Sequence, residues 1–495
     1  MKWAGRASAL ALLLCTPGRA QAQLPVDGQP ITTNRYGIDL FQGPVLAGTR
    51  VTGLAGAFVA IGEGVEGNTQ NPAAPAVRVP WSNSHIDYDL GLGVTFPSSL
   101  KNNDFFNSGR RTDLPKGTTG GFVFLNVAGN LQWGKWGLGF TADLQTYALS
   151  RDTEHSSDKL ADRLQATISI THLQLARAFL DAQLIVGIGD RVATLAVDNE
   201  NSLSTTQQNL FSTVGNGYEA GFVLKPNNRQ FRIGGALRTG VTTRPSNSAP
   251  SVLYPGDPAN RLYLPERVTV PWDLDLGLAI QLGPRPLNPR WVDPSLELER
   301  VKRFLHWRER ERERRRRFEL ERVRVSHGDV QAAERALDVE FTTEAALDDE
   351  ALSREDRNVD REIRRRLREL QRFHVLIVSS IVVSGTTQDA VGVESFLERT
   401  TQRSGARQSY SPRVALETET VPDWLRLRAG SYHEPSRFPS NRAGGRIHGT
   451  LGFDAKLLPF DAFGLVHEGT TWRLSGSLDA ARNYFGWSVA IGVWH

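Results

Sequence analysis

Along most of the chain, apolar residues fall at every second position. In residues 273–282, DLDLGLAIQL, one face takes Leu274, Leu276, Leu278, Ile280 and Leu282, and the other takes Asp273, Asp275, Gly277, Ala279 and Gln281. That is the two-residue period of a strand with one apolar and one polar side. Val123, Leu125, Val127, Leu131 and Trp133 repeat it against Asn126, Asn130 and Gln132, and Leu425, Leu427 and Ala429 repeat it against Arg426 and Arg428. Charges on the second face of such segments suit a barrel with lipid outside and a wet interior. One segment changes phase: between Ile168–Ile170 and Leu173–Leu175 the apolar set slips by one position, which predicts a β-bulge.

Strands of this kind are predicted at 86–96, 119–133, 135–149, 165–178, 183–197, 216–225, 230–243, 268–283, 374–385, 412–420, 424–434, 446–457, 471–481 and 485–495. The total is about 14, an even number, as bacterial barrels require. The fold class predicted is therefore all-β, a transmembrane antiparallel β-barrel. Short links at Gly134, 179–182, 226–229 and 421–423 alternate with long polar ones at 97–118, 150–164, 198–215, 244–267 and 385–411. Short turns belong on the periplasmic side and long loops outside, so the last strand ends at the periplasmic rim.

Residues 293–374 depart from this pattern. They hold about forty charges, nearly balanced in sign, including the run Arg308 to Arg317. Asp293 with Pro294 reads as a helix start and Gly328 as its stop. Ser353 with Asp356 resembles a capping box, followed by Val359, Ile363, Leu367 and Leu370 at helical spacing. These features predict a helical hairpin on the periplasmic side. Its functional reading is a docking arm for a periplasmic protein or the peptidoglycan layer, and its structural reading is a solvated insertion held by charge pairs.

Composition sharpens the picture. Lys2 and Arg6 precede the apolar run Ala9–Cys15, and Ala20-Gln21-Ala22 supplies a cleavage site, so residues 1–22 read as a signal peptide. The single cysteine falls inside that leader, which leaves a mature chain without thiol chemistry. Lys2, Arg6 and Arg19 carry three of the four excess positive charges, so the mature chain is close to neutral and nucleic acid is not an expected partner. No other stretch has the 18 or more apolar residues of a spanning helix.

Residues 23–85 precede the first strand. Within them, RVTGLAGAFVAIGEGVEGNTQNPAAPA, from Arg50 to Ala76, carries Gly53, Gly56, Gly62, Gly64 and Gly67 and closes on Asn71-Pro72-Ala73. Small residues at this density allow close backbone approach, which suits a plug better than a helix or strand. The pieces Gly53-Leu54-Ala55-Gly56-Ala57-Phe58 and Asn71-Pro72-Ala73 resemble the N-terminal hatch signature of the FadL-type outer-membrane transporters of long-chain fatty acids and other hydrophobic compounds. Leu264-Pro265-Glu266 is similar to the family's opening of an inward strand, and Val421 to Arg442 to its short turn, outward strand and loop start.

The resemblance implies a hatch-gated barrel of fourteen strands; it does not cover the insertion at 293–374, which splits the barrel into halves at 86–292 and 375–495. It implies passive movement of a hydrophobic solute, with exit sideways into the bilayer. Gly53, Gly56, Asn71 and Pro72 are the implied hatch determinants, while ligand-contacting residues do not carry over. It also implies an aromatic in the lipid-facing phase at the C-terminus; here that phase runs Trp487, Val489, Ile491, Val493 and His495, with Trp494 on the opposite face.

The sequence offers no catalytic constellation: the ten histidines are scattered and no G-x-S-x-G nucleophile motif occurs. His155 among Asp152, Glu154 and Asp158 reads as an exposed acidic loop. The expectation is a non-enzyme without cofactor or metal, located in a Gram-negative outer membrane, with the bilayer and a hydrophobic small molecule as partners. The alternative is a barrel of the same fold that docks or shuttles components of protein export or surface assembly through its periplasmic arm. A general porin is weaker, because the hatch would obstruct it.

Overall fold

The computed structural model describes residues 24–79, 82, 84–97, 103–109, 122–151, 162–201, 208–246, 251–254, 257–291, 293–369, 371–459 and 471–494. The leader, the loop around His155, and His495 lie outside them. Fourteen antiparallel strands close into one barrel, each pairing with its sequence neighbour. They are β1 (Ile86–Phe96), β2 (Val123–Trp133), β3 (Trp136–Arg151), β4 (Asp162–Phe179), β5 (Leu184–Asn201), β6 (Gln208–Leu224) and β7 (Phe231–Arg238). The second half is β8 (Asp273–Leu282), β9 (Val375–Ser384), β10 (Ser409–Val421), β11 (Leu425–Glu434), β12 (Arg446–Pro459), β13 (Thr471–Ala481) and β14 (Tyr484–Val493). β14 closes the barrel on β1, with Gly91 opposite Gly492. Pairing runs around the whole ring, as a structure immersed in lipid needs, but Ile86–Leu90 of β1 extend beyond their ladder with β14 and Gln208–Tyr218 of β6 beyond theirs with β7.

The two faces separate as the alternation predicts. Leu276, Leu278, Ile280 and Leu282 of β8 are exposed on the outside, while Asp275, Ala279 and Gln281 are buried inside. On β2, Val127 and Leu131 face out and Asn126, Asn130 and Gln132 face in. An exposed apolar belt around a polar interior is the arrangement of a barrel that spans a membrane. Apart from the insertion, loop lengths follow the expected alternation with two exceptions: Ala481 and Tyr484 are joined on the long-loop side by only Arg482 and Asn483, the latter with φ +56°, and eleven residues, 460–470, join Pro459 to Thr471 on the short-turn side.

The predicted bulge in β4 is absent. β4 pairs in unbroken register with β3 and with β5, from Ile168 through Leu175. Ile168 and Ile170 point into the barrel, whereas Leu173 and Leu175 point out. The phase changes because the surroundings change. Toward the long-loop end, the inward residues Leu164, Ala166 and Ile168 join an apolar cluster with Leu195, Val197, Phe211 and Phe396 that fills the mouth.

Two predicted strands are shorter than expected, because their outer ends leave the barrel. Pro271, which cannot donate to a ladder, separates β8 from Arg267–Val270. That segment and Val241–Thr243 enter a five-stranded sheet with Gly37–Asp39, Ala390–Gly392 and Arg403–Ser404. Gly37–Asp39 runs parallel to both its neighbours, Arg267–Thr269 and Ala390–Gly392. The N-terminal segment and two long loops thus build a lid across the outer mouth. Asp39 pins it: its carboxylate accepts from Arg437 Nε at 3.0 Å, Thr387 Oγ1 at 3.0 Å and Ser404 Oγ at 2.8 Å.

The insertion forms the predicted helical hairpin, with α2 (Pro294–Val325) and α3 (Val330–Glu369) following α1 (Thr49–Gly53) of the hatch. Its details differ from the sequence reading. The left-handed residue after α2 is His327, φ +55°, while Gly328 donates its N–H to Val323 O at 2.9 Å. The cap of α3 is Asp329, whose Oδ1 accepts from Gln331 N at 3.0 Å and Ala332 N at 3.1 Å. Ser353 lies within α3, so the predicted capping box opens no helix. The two helices are tied across their interface by ions: Asp348 binds Arg308 and Arg312, and Arg315 meets Glu344 at 2.8 Å.

Candidate functional site

The lumen is filled from below by residues 49–77. α1 and two short 3₁₀ turns, Val65–Gly67 and Ala74–Ala76, lie against the inner wall. A segment of this composition forms little regular structure, so its backbone groups need partners from the wall. Val65 N donates to Asp89 Oδ2 at 2.9 Å, Gln132 Nε2 to Pro75 O at 2.8 Å and Gln174 Nε2 to Asn68 O at 2.8 Å. Arg232 Nη1 donates to Ile61 O at 3.0 Å, and Arg238 Nη2 to Thr69 O at 2.8 Å. The inward polar positions predicted as a wet face are largely spent on the hatch.

The four residues singled out in the sequence lie at these contacts, spread along the hatch. Asn71 is fully buried; its Nδ2 donates to Val59 O at 2.7 Å and Phe222 O at 3.0 Å, and its Oδ1 accepts from Ala73 N at 3.0 Å. One side chain therefore binds hatch to hatch and hatch to wall. Gly53 O accepts from Thr450 Oγ1 at 3.1 Å, and a β-carbon on Gly53 would meet Gly452 Cα at 3.1 Å. Gly56 has φ +73°, and Arg413 Nη1 donates to its carbonyl at 3.1 Å. Pro72 presents its carbonyl to the wall at Gly187.

Wall glycines opposite the hatch are the feature the sequence reading missed. A β-carbon at Gly187 would sit 1.9 Å from Pro72 O, at Gly137 2.1 Å from Pro75 O and at Gly234 2.3 Å from Val59 O. The signal was present: these glycines occupy the inward positions of alternating strands, where a lumen open to water would tolerate side chains.

Ion pairs complete the seal toward the short-turn end. Arg50 of the hatch binds Glu417 in a fork, Nη2 to Oε1 at 2.7 Å and Nε to Oε2 at 2.9 Å. Glu63 meets Arg232 at 2.6 Å and Glu66 meets Arg473 at 2.7 Å. Buried charges of this kind are tolerated only when paired and hydrogen-bonded. In the turn between β6 and β7, burial pushes the Lys225 ammonium down to about 7, with Arg232 and Arg78 adding to the effect against Glu63. In the turn before β11, burial alone would raise Asp423, but Lys456, Arg372 and the Trp494 indole outweigh it and hold its carboxyl below the usual range. Trp494 does turn inward at the rim, with Arg426 stacked 4.4 Å over its ring.

Between lid and hatch lies a chamber of ≈ 190 Å³. Leu40, Phe41, Val45 and Leu46 of the N-terminal segment supply apolar wall, and Arg191, Arg238, Arg413, Asp143, Asp273 and Asp275 supply charge. Asp273 pairs with Arg191 at 3.3 Å and with Arg238. Among the described residues, no group of three or more His, Cys, Asp or Glu is arranged to hold a metal ion.

These features define a plugged fourteen-stranded transmembrane barrel, lidded at one end and sealed by a hatch at the other. Among solved structures, the chain is similar to the P. putida toluene transporter TodX, with TM-score 0.46, 10% identity and coverage of 93% of this chain and 98% of that one. It is similar to a Pseudomonas aeruginosa FadL homologue, with TM-score 0.43, 11% identity and coverage of 94% and 99%. A third is the CymD monoaromatic hydrocarbon channel, with TM-score 0.44, 9% identity and coverage of 92% and 97%. No protein-family model and no curated protein sequence matches the chain.

Proposed function

We propose that this barrel carries long-chain fatty acids or similar hydrophobic compounds passively across a Gram-negative outer membrane, with the N-terminal segment as its gate. The observation that supports this reading most is the hatch itself. With wall glycines and buried ion pairs seating residues 49–77 across the lumen, a solute has to bind in the chamber and wait for the hatch to shift. That is selective passage, whereas a porin for polar solutes works by an open, water-filled lumen. The motif order in the sequence supports the same reading, and Gly53, Gly56, Asn71 and Pro72 are its gating residues. Gly56→Val tests it. The new side chain would occupy a left-handed position and collide with Arg413 Nη1, 2.3 Å from its β-carbon. The expected result is lost uptake of a labelled hydrophobic compound by a normally assembled barrel; unchanged uptake would remove Gly56 from the gate.

A second reading, docking through the helical arm, has one observation in its favour. Phe304, Trp307 and Phe318 are each more than half exposed on α2, and exposed aromatics on a charged helix suit a partner surface. Replacing residues 297–368 with a short Gly-Ser linker separates the readings: a transporter keeps uptake, and a docking protein loses its partner.

A further inference from the structure

We propose that the helical arm is the lever of the hatch: its first leg, around Leu287, Asn288, Trp291 and Asp293 between β8 and α2, is joined to the hatch, so that whatever engages the arm sets how firmly the hatch is seated. The inference rests on the hatch-gated transport reading above and adds its regulation.

Three contacts make the joint. Arg232, at the start of β7, is fully buried and divides its guanidinium between the two bodies. On the arm side, Nε donates to Asn288 Oδ1 at 2.7 Å and Nη2 to Leu287 O at 2.8 Å. On the hatch side, Nη1 donates to Ile61 O at 3.0 Å and meets Glu63 at 2.6 Å. Where the N-terminal segment runs out toward β1, Arg78 lies 4.2 Å over the ring of Trp291. Its Nη2 donates to His85 O at 2.7 Å, and the His85 ring meets Asp293 at 3.0 Å. Ile61 and Glu63, then Arg78, then His85 thus face Leu287 and Asn288, then Trp291, then Asp293, in the same order.

The guanidinium is suited to transmit movement. Its fork is planar and rigid, and a buried donor that loses its acceptor is costly. A shift of Leu287 and Asn288 therefore carries Arg232 with it, and Ile61 and Glu63 follow. Asn288 Nδ2 also donates to Arg229 O at 2.9 Å and Phe231 O at 2.8 Å, so the backbone on either side of the turn that carries Arg232 moves with the leg.

The other leg stands on the wall. Past α3, Arg372 meets Glu419 at 3.4 Å and Asp423 at 2.8 Å, and Thr418 Oγ1 donates to His374 O at 2.8 Å. With one leg tied to the hatch and the other to the wall, a tilt of the hairpin works the first against the second. The forty residues of α3 extend roughly 60 Å, so a load near the tip acts at a long distance from the joint.

The test reads amide exchange region by region in the full-length purified protein, beside proteoliposome uptake of a labelled hydrophobic compound. Asn288→Ala removes an acceptor on the arm side and should speed exchange in residues 58–67 of the hatch about tenfold, inside the roughly 5–150-fold range of coupling between linked sites. Uptake should rise with it. Coupling is reciprocal, so Glu63→Gln in the hatch should speed exchange around Leu287 and Asn288 by a similar factor. Arg290→Ala is the control, since Arg290 stands on the same leg but pairs outward with Asp181 at 3.3 Å; it should leave the hatch unchanged. If Asn288→Ala loses the heat-modifiable gel shift of a folded barrel, Trp291→Ala takes its place, read at Arg78 and its neighbours. Faster exchange confined to the substituted side, or equal effects of Arg290→Ala and Asn288→Ala, overturns the inference. So does coupled exchange with unchanged uptake, which would be a joint that does not gate. Absence of hydrophobic uptake in the wild type defeats the transport reading instead, and exchange still decides the joint.

Discussion

Gly187 and Pro72 are in contact across the seam between wall and hatch: a β-carbon on Gly187 would lie 1.9 Å from the Pro72 carbonyl oxygen. No rotamer relieves a clash between a β-carbon and backbone, so Gly187→Val has to move either the strand or the hatch, at a cost of roughly 1–3 kcal/mol or more. The hatch is the softer of the two. The variant should assemble but leak a small sugar in liposome-swelling assays. Gly449→Val, at an outward position with no heavy atom within 4 Å, serves as the control and should not leak. Equal permeability of the two variants would mean that the hatch is not seated on Gly187.

Glu417 holds two arginines at once, Arg50 of the hatch and Arg428 of the wall, the latter at 2.5 Å. It is 2% exposed. Glu417→Gln leaves Arg50 with Glu63 at 3.6 Å and Arg428 with Asp454 as their remaining counter-charges, so the cost should approach but not exceed the roughly 3–5 kcal/mol of breaking a buried pair outright. The urea midpoint of the reconstituted barrel should fall accordingly. A loss under about 1 kcal/mol would mean that the other anchors, Glu63 on Arg232, Glu66 on Arg473 and the glycine contacts, hold the hatch without Glu417.

Lys225 gives the barrel a pH dependence of defined sign. Its folded-state value of about 7 lies below the ordinary lysine value of 10.5. Between those values the unfolded chain binds the proton and the folded one does not, so stability rises with pH from about 7 to 10.5 and is lowest below that window. Lys225→Met should raise the urea midpoint at pH 7, by up to a few kcal/mol in free energy, and flatten the rise toward pH 10. An unchanged slope would mean that the ammonium finds water in the folded state.

Among the ions that join the arm's two helices, Asp348 is buried and receives both Arg308 and Arg312. Asp348→Ala should weaken the hairpin by roughly 1–3 kcal/mol without touching the barrel. Amide exchange should accelerate along α2 and the first half of α3 and stay constant in β1–β14. Unchanged exchange along the arm would show that other pairs, such as Arg315–Glu344 across the interface and Arg354–Glu350 within α3, hold it without Asp348.

The barrel was legible because each strand alternates over many residues: 86–96 and 471–481 are predicted and observed with the same bounds. The hatch was legible because its glycines have no use in a helix or strand. The lid was not. Its strands are two to four residues long, and the central one, Gly37–Asp39, pairs parallel with segments hundreds of positions away, as Ile38 does with Val268 and Val391, so no local period announces them. The same blindness produced the mistaken bulge in β4, where Ile168 and Leu173 belong to opposite faces because one strand passes from lipid to a lidded mouth. Chamber residues such as Arg191 and Asp275 were visible only as inward polar positions. Their place together between lid and hatch follows from the long-range pairings that close both, which no local pattern carries.

The measurement that tests the central claim most directly is uptake into proteoliposomes of a labelled hydrophobic compound, with a small polar sugar as control. A selective hatch-gated barrel predicts entry of the hydrophobic compound without the sugar, and loss of that entry in Gly56→Val. Sugar entry by the wild type, or entry of neither, would contradict it.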